Sequence, residues 1–337
     1  MRTTKMPPSN QNYIIFWKKY YPTIFSVAVI LIIFAIIRGL ISYSEIKVAE
    51  EKTKVELIAK QEAANPFKSI ELGARAAYVF DLTTGREIFS KNAEAQLPLA
   101  SLTKTMAAIV ALEAVPDFTN IRISNSSLRE EGDSGLKVGE DWPLRKILGF
   151  SLTASSNDGV RAIAETIGEQ ALNQNQTADL SDRGKFVNLM NQKSNTLGLS
   201  QTFFLNETGL DVSSSTSGAY GSARDVAKLF GYALNRHADV FLDTGYPDFS
   251  VKINDGIHIA KNTNKIVSEI SGLVASKTGF TDLAGGNLVI AFDAGLMHPV
   301  IVSILGSTET GRFDDALALV KSAIEYLGDH EPRVNSK

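Results

Sequence analysis

An uncharged apolar segment near the N-terminus places the strongest constraint on how this chain can fold. Residues 23–37, TIFSVAVILIIFAII, carry no charge, and between Tyr20 and Tyr43 only Arg38 interrupts the apolar stretch. A helix of about 20 predominantly apolar residues is long enough to cross the hydrocarbon core of a bilayer. The segment therefore predicts one membrane-spanning helix over residues 20–43.

The charges that flank this segment predict its orientation. Arg2, Lys5, Lys18 and Lys19 precede it, and no acidic residue does. Because basic flanks stay on the cytoplasmic side, we expect residues 1–19 to be cytoplasmic and the bulk of the chain to lie outside the cytoplasm. The following sequence, RGLISYSEIK, lacks the small residues of a signal-peptide cleavage site. We therefore expect an uncleaved, single-pass anchor in the cell membrane.

The composition changes after the apolar segment. Residues 45–62, EIKVAEEKTKVELIAKQE, mix both signs of charge with few large apolar residues. This composition is typical of a helical stalk or a flexible spacer, and we interpret residues 44–69 as a solvated linker. The main domain is then predicted over residues 70–329, with a short tail at 330–337.

Strand patterns at both ends of the main domain enclose a middle that is mostly helical. A turn at Thr83-Thr84-Gly85 predicts a strand pair over residues 74–92, and an apolar helix opens near Ser101. The later elements are a mostly helical subdomain at 103–240, strands at 272–280, 285–293 and 298–307, and a helix at 312–327. This order predicts an α+β fold, with an antiparallel sheet flanked by helices.

Composition argues against several classes of function. The net charge of the 337 residues is −3, so we expect no nucleic-acid partner. Cysteine is absent, which removes disulfides, thiolate zinc sites and a cysteine nucleophile. The four histidines have no metal-ligand spacing, and no G-x-S-x-G motif accompanies them: His237, His258, His298 and His330. We therefore expect neither a metal site nor a Ser-His-Asp triad.

The segment PLASLTKTMAAIVALEAV, residues 98–115, contains a lysine in an unusual place. Lys104 lies one turn after Ser101 at the start of the apolar helix, where the macrodipole disfavours a cation. An isolated S-x-x-K would be read as a helix cap followed by a solvated lysine, and Ser44 and Ser134 begin the same pattern. Only the context of the pattern can make it specific.

Two other short motifs supply that context. Ser155-Ser156-Asn157 falls in a loop between helices, and Lys277-Thr278-Gly279 falls on a late strand. With Ser101 and Lys104, this set resembles the penicillin-binding D-alanyl-D-alanine carboxypeptidase family, serine peptidases that trim bacterial peptidoglycan stem peptides. The segments 190–211, 221–234 and 311–320 are also similar to parts of that family, so the resemblance runs from Ala74 to Leu327. It implies a DD-peptidase/β-lactamase-like fold.

The chemistry of Ser101 and Lys104 can be argued from the residues themselves. A serine at a helix N-terminus can attack a carbonyl, and its own backbone N–H points to where an oxyanion would form. The i, i+3 spacing puts Lys104 on the same helix face. Burial and a second cation, Lys277, both disfavour charge on Lys104, which makes it a candidate base for Ser101.

The resemblance implies roles for the remaining residues. Ser155 would help pass the proton to the leaving amine, and Asn157 would bind the substrate amide. Lys277 and Thr278 would hold the terminal carboxylate of D-alanine. Gly279 would let the substrate strand lie close to the backbone. Phe280 would donate the second N–H of the oxyanion hole. Arg312 is a further candidate for binding a carboxylate, although an arginine at a helix start is more often a surface residue.

The leading hypothesis is a membrane-anchored serine D-alanyl-D-alanine carboxypeptidase that acts on stem peptides ending in D-Ala-D-Ala. It would be inhibited covalently by β-lactams and would need no metal or organic cofactor. The alternatives are a D-Ala crosslink endopeptidase or a β-lactamase with the same site, or a peptidoglycan-binding module without turnover. The three intact motifs argue against the last.

Two features depart from the family pattern. Glu207 stands where the family more often has proline, and it invites a comparison with the class A β-lactamases. The comparison is weak, because no E-x-x-L-N loop is found and the chain has S-S-N in place of their S-D-N. The sequence ends just past the predicted last helix, and we expect the N-terminal helix to replace the C-terminal anchor of many such carboxypeptidases.

Overall fold

The computed structural model describes residues 11–63, 65–132, 134–170, 180–254, 256–295 and 297–330. The chain divides into two compact units, Met1–Asn65 and Pro66–Lys337. Most of the predicted tail and the first residues of the predicted cytoplasmic segment, with Arg2 and Lys5, lie outside the described residues.

The first unit contains one long helix, α1, Gln11–Ala63. Its part Trp17–Val55 is long and apolar enough to cross a membrane by length and composition, and none of the most apolar stretch is buried in protein. The helix continues through residues 45–62, so this segment has the form of a helical stalk. Many of the described apolar side chains between Trp17 and Val55 are exposed.

A five-stranded antiparallel sheet forms the centre of the second unit. Its strands, in the order in which they lie side by side, are β10 Leu273–Thr281, β11 Gly285–Asp293, β12 Pro299–Ser307, β1 Ala76–Asp81 and β2 Arg86–Lys91. The hairpin at the start of the domain therefore pairs with the last strand, because β1 lies against β12. The strand β10 forms one edge of the sheet.

Both faces of the sheet are covered, which explains why its central strands, β11, β12 and β1, are apolar almost throughout. On one face Leu288 and Ile290 pack with Phe313 and Leu319 of the last helix, α7, Gly311–His330. On the other face Val289 belongs to the core shared with the helical subdomain. A strand that is buried on both sides loses the alternation of apolar and polar residues.

Five α-helices lie in the described part of the chain between β2 and β10. They are α2 Thr103–Ala114, α3 Leu144–Ala154, α4 Asn157–Gln170, α5 Asp182–Thr196 and α6 Ala223–Phe241. Short strands connect them: β3 Leu97–Pro98, β4 Asn120–Arg122, β5 Asp141–Pro143, β6 Phe203–Phe204, β7 Ala219–Gly221, β8 Asp248–Ile253 and β9 Gly256–Lys261. The predicted α+β class, with an antiparallel sheet and a mostly helical subdomain, is confirmed.

Two junctions of this fold position the candidate site. A 3₁₀ turn, Ala100–Leu102, leads directly into α2 and packs against the edge strand β10. The short connection between α3 and α4 holds Ser155 and Ser156. The three motifs therefore come from a helix start, a helix-helix connection and a sheet edge.

Candidate active site

The 3₁₀ turn that carries Ser101 has a constrained backbone. Ala100 has φ +49°, in the left-handed region that residues with a side chain rarely occupy. Leu102 holds the N-cap position of α2, and its side chain makes no capping hydrogen bond. Ser101 is therefore not a helix cap, so the simplest structural explanation of the S-x-x-K pattern does not apply.

Lys104 is fully buried and contacts three oxygen atoms. Its Nζ lies 2.7 Å from Ser101 Oγ, 2.6 Å from Asn157 Oδ1 and 2.9 Å from the carbonyl oxygen of Thr208. The side-chain amide of Asn157 is oriented by its Nδ2, which donates to the carbonyl of Glu131 at 2.7 Å. Lys104 therefore joins the nucleophile candidate to the second motif.

These contacts fit a neutral amine. The oxygens of Asn157 and Thr208 can only accept, so they take the two N–H groups of an unprotonated Lys104. The lone pair then faces the Ser101 hydroxyl, which can donate to it. A protonated Lys104 would donate to all three oxygens, so the same geometry accommodates the amine before and after it takes a proton.

Burial lowers the pKa of Lys104 to about 7, while the carboxylates of Glu207 and Glu130 oppose this effect. A base whose pKa lies near the working pH combines an available lone pair with a useful proton affinity. Lys104 can therefore accept a proton from Ser101 near neutral pH.

Lys277 projects from β10 and reaches the loop between α3 and α4. Its Nζ donates to Ser155 Oγ at 2.9 Å and to the carbonyl of Thr278 at 2.8 Å. Ser155 has φ +58° and ends α3 in the left-handed conformation. Burial, followed by repulsion from Lys104 and Arg312, holds the pKa of Lys277 well below its usual value. A charge on either lysine therefore disfavours a charge on the other.

Thr278 and Gly279 continue the strand beside the nucleophile. Thr278 Oγ1 lies 2.6 Å from Thr263 Oγ1, which fixes the hydroxyl. A Cβ atom on Gly279 would lie 2.9 Å from the carbonyl oxygen of Leu99 and 3.1 Å from the backbone nitrogen of Ser101. A side chain at this position would push β10 away from the 3₁₀ turn, so the packing of the protein itself requires the glycine.

Arg312 and Phe280 are the remaining site residues predicted from the sequence. Arg312 is buried, although it opens a helix, and its Nη1 donates to the carbonyl of Gly279 at 2.7 Å. The side chain of Phe280 is 46% exposed. The structure therefore joins Lys104 to Ser101 and Asn157 by direct contact, and it joins Lys277 to Ser155 and to the Thr278 carbonyl. Arg312 is linked to this strand through the carbonyl of Gly279.

Three contributors were missed in the sequence. Thr208 acts through its carbonyl, for which no residue type is diagnostic, and the same holds for Glu131. Thr263 comes from the loop after β9, where the run Asn262-Thr263-Asn264 of small polar residues was the available signal. Within the described part of the chain, no group of three His, Asp or Glu side chains is placed to hold a metal ion.

Comparison with known proteins decides the family. Residues 59–309 match the model of the Peptidase_S11 family, described as D-alanyl-D-alanine carboxypeptidase. This chain belongs to that family. The assignment made from the three motifs is confirmed, and the class of enzyme predicted, a D-alanyl-D-alanine carboxypeptidase hydrolase, is the class that defines the family.

Curated relatives include both carboxypeptidases and endopeptidases. D-alanyl-D-alanine carboxypeptidase DacF of Bacillus subtilis is 29% identical over 265 residues, which cover 76% of this chain and 64% of the relative. D-alanyl-D-alanine endopeptidase of Escherichia coli is 26% identical over 242 residues, which cover 70% of this chain and 72% of the relative. The chain thus spans slightly less than two thirds of the Bacillus relative.

Solved structures of similar proteins share the fold. The D-alanyl-D-alanine carboxypeptidase of Mycobacterium tuberculosis has a TM-score of 0.66 at 21% identity, covering 78% of this chain and 94% of that one. Penicillin-binding protein D2 of Listeria monocytogenes, in its ampicillin-bound form, has a TM-score of 0.62 at 28% identity, covering 75% and 98%.

Proposed function

We propose that this protein is a serine D-alanyl-D-alanine carboxypeptidase that removes the terminal D-alanine from peptidoglycan stem peptides. The observation that carries the proposal is the 2.7 Å contact between Ser101 Oγ and the buried Nζ of Lys104, whose pKa is about 7. Membership of the family and the names of the carboxypeptidase relatives support the substrate class.

In the proposed acylation, Ser101 Oγ bonds to the carbonyl carbon of the penultimate D-alanine. Lys104 Nζ takes the hydroxyl proton, and the backbone N–H groups of Ser101 and Phe280 receive the oxyanion. The peptide C–N bond then breaks, and the proton that Lys104 took passes through the hydroxyl of Ser155 to the departing amine, which leaves Lys104 neutral again. Asn157 holds the substrate amide during this step.

In the proposed deacylation, water attacks the acyl carbon and gives up a proton to Lys104 as the ester bond to Ser101 Oγ breaks. The proton returns to Ser101, which regenerates the hydroxyl and leaves a shortened peptide.

Lys277 and Thr278 bind the terminal carboxylate before cleavage, and Arg312 supports them through the carbonyl of Gly279. Proton transfers and substrate binding are thereby assigned to residues of the chain itself.

Product analysis separates this proposal from its alternatives. The full-length protein in detergent is incubated with purified muropeptides, and the products are identified by mass spectrometry. A carboxypeptidase converts pentapeptides to tetrapeptides with release of free D-alanine.

Conversion of crosslinked dimers to monomers without loss of terminal D-alanine would identify an endopeptidase, an activity that the names of several relatives favour as the second candidate. Rapid turnover of a chromogenic cephalosporin would identify a β-lactamase, and no reaction with any substrate would identify a binding module.

We further propose that α1 anchors the protein as a single membrane span, with the main domain outside the cytoplasm. The uncharged stretch and the basic residues before it support this topology. The proposed parts are a cytoplasmic segment 1–19, a span 20–43, a linker 44–69, the main domain 70–329 and a tail 330–337.

Deletion of residues 1–43 tests this division. We expect a soluble protein that labels with a fluorescent penicillin at the full-length rate, because all described contacts of the candidate site lie beyond residue 65. Fractionation followed by labelling measures both properties. A truncated protein that stays with the membrane, or that fails to label, would contradict the proposed boundary.

A further inference from the structure

Glu207, the residue that departs from the family pattern, lies in a turn that is packed against the nucleophile. A Cβ atom on Gly209 would lie 1.9 Å from the carbonyl oxygen of Ala100. Asn206 braces the turn, since its Oδ1 accepts from the backbone N–H of Gly209 at 2.7 Å and its Nδ2 donates to the carbonyl of Leu210 at 2.8 Å. The turn is therefore packed tightly against the 3₁₀ turn that carries Ser101.

Thr208, which follows Glu207 in the chain, is hydrogen-bonded directly to the candidate base Lys104. The carbonyl of Thr208 accepts a hydrogen bond from Lys104 Nζ at 2.9 Å. The side chain of Glu207 is only 1% exposed, and its Oε1 accepts from Arg183 Nε at 2.7 Å. Its Oε2 is buried and has no hydrogen-bond partner among the described residues. A buried carboxylate oxygen without a partner is costly and calls for an explanation.

Glu207 is the inner end of a chain of ion pairs. Arg183 also contacts Glu130 at 3.2 Å, Glu130 contacts Arg161 at 2.5 Å, and Arg161 contacts Glu165 at 2.9 Å. Three carboxylates and two guanidinium groups leave this chain with one unbalanced negative charge. An ammonium ion on Lys104 would balance it.

We propose that Glu207 is a positioning residue for the general base: held by Arg183, its buried carboxylate provides the counter-charge for the ammonium that forms on Lys104 when Ser101 is deprotonated, while the turn presents the Thr208 carbonyl to the same nitrogen. The inference rests on the proposed function, in which Lys104 takes the Ser101 proton. It accounts for the burial of Glu207 and for the unpartnered Oε2.

The other charged groups around the site do not replace Glu207. They are carried by β10, α4, α5, α7 and one loop: Lys277, Asp158, Arg183, Arg312 and Glu130. Among the described residues, Glu207 and Glu130 are the groups that raise the pKa of Lys104 against the effect of burial. The charges of Lys104 and Arg312 lower the pKa of Lys277. Removing the Glu207 charge should therefore make the protonated form of Lys104 less stable.

The test is the pH dependence of acylation by a fluorescent penicillin, measured on the full-length protein in detergent. Glu207→Gln keeps the side-chain volume and an oxygen for Arg183. We expect the pH of half-maximal acylation to fall by about 1 unit, because an opposite charge near Lys104 has been removed. The plateau rate should also fall, since a weaker base takes the serine proton less readily.

Two further variants complete the experiment. Glu130→Gln should shift the midpoint in the same direction by a smaller amount, and it keeps the test valid if Glu207→Gln does not fold. Glu113→Gln is the matched control: this carboxylate pairs with Lys193 at 2.7 Å and lies on α2, about 13 Å from Lys104 along the helix. Its removal should leave the midpoint unchanged.

The outcomes separate the inference from the proposed function. An unchanged or raised midpoint in folded Glu207→Gln and Glu130→Gln, with normal labelling of the unmodified protein, would overturn the role of Glu207 alone. Failure of the unmodified protein to label would overturn the proposed function. A lost plateau with an unchanged midpoint would show that Glu207 only shapes the turn, which also overturns the counter-charge role.

Discussion

Replacement of Ser101 by alanine should abolish covalent labelling by a fluorescent penicillin while leaving the protein folded. The acyl bond forms on Ser101 Oγ, and in the described structure the buried base Lys104 contacts this oxygen at 2.7 Å. Loss of a nucleophile that works with a base commonly costs at least about 10³-fold in rate. We therefore expect no labelled band after exposure times that saturate the unmodified protein.

A serine of the same local pattern provides the control. Ser44 begins a second S-x-x-K sequence, on the exposed surface of α1, where its hydroxyl donates to the carbonyl of Ile41. Ser44→Ala should label normally. Thermal unfolding of Ser101→Ala, compared with that of the unmodified protein, shows whether the fold is retained. Persistent labelling of folded Ser101→Ala would mean that another residue is the nucleophile.

Much of the central sheet could be predicted from the sequence, because its strands are apolar and bounded by turns. The predicted strand at 285–293 coincides with β11, and the predicted pair at 74–92 contains β1 and β2. The hairpin β8–β9 was not predicted. Ile257 and Ile259 lie on the exposed face of β9, so the positions of apolar residues do not show which face of this hairpin is buried, as they do for β11.

In the candidate site, the contributing side chains could be predicted from the sequence, whereas the contributing backbone groups could not. The lysines and serines of the three motifs could be found because their chemistry depends on residue type. The Thr208 carbonyl could not, since every residue has one. Arg312 was predicted as a carboxylate-binding candidate by the resemblance, although an arginine at a helix start is more often exposed, and the structure shows it buried in contact with the Gly279 carbonyl.

Lys277→Ala should weaken the recognition of a terminal carboxylate. A charge-assisted hydrogen bond contributes roughly 1.5 to 3 kcal/mol, so the preference for a carboxylate over the matching amide should fall by roughly 10- to 150-fold. The measurement is the second-order rate constant of acylation of Ser101 by a pair of peptides that differ only in this group. Lys265→Ala, outside the contacts of the site, serves as the matched control.

The same variant shows what sets the pKa of Lys104. With a β-lactam that lacks the usual carboxylate, acylation of the unmodified protein should rise with pH through about 7, because Lys104 must lose its proton to act as a base. Burial is the main cause of this low pKa. Lys277→Ala should therefore move the midpoint by less than about 1 unit while carboxylate preference is lost. A larger upward shift would instead identify the Lys277 ammonium as the group that keeps Lys104 neutral, because removal of a neighbouring cation stabilises the protonated base.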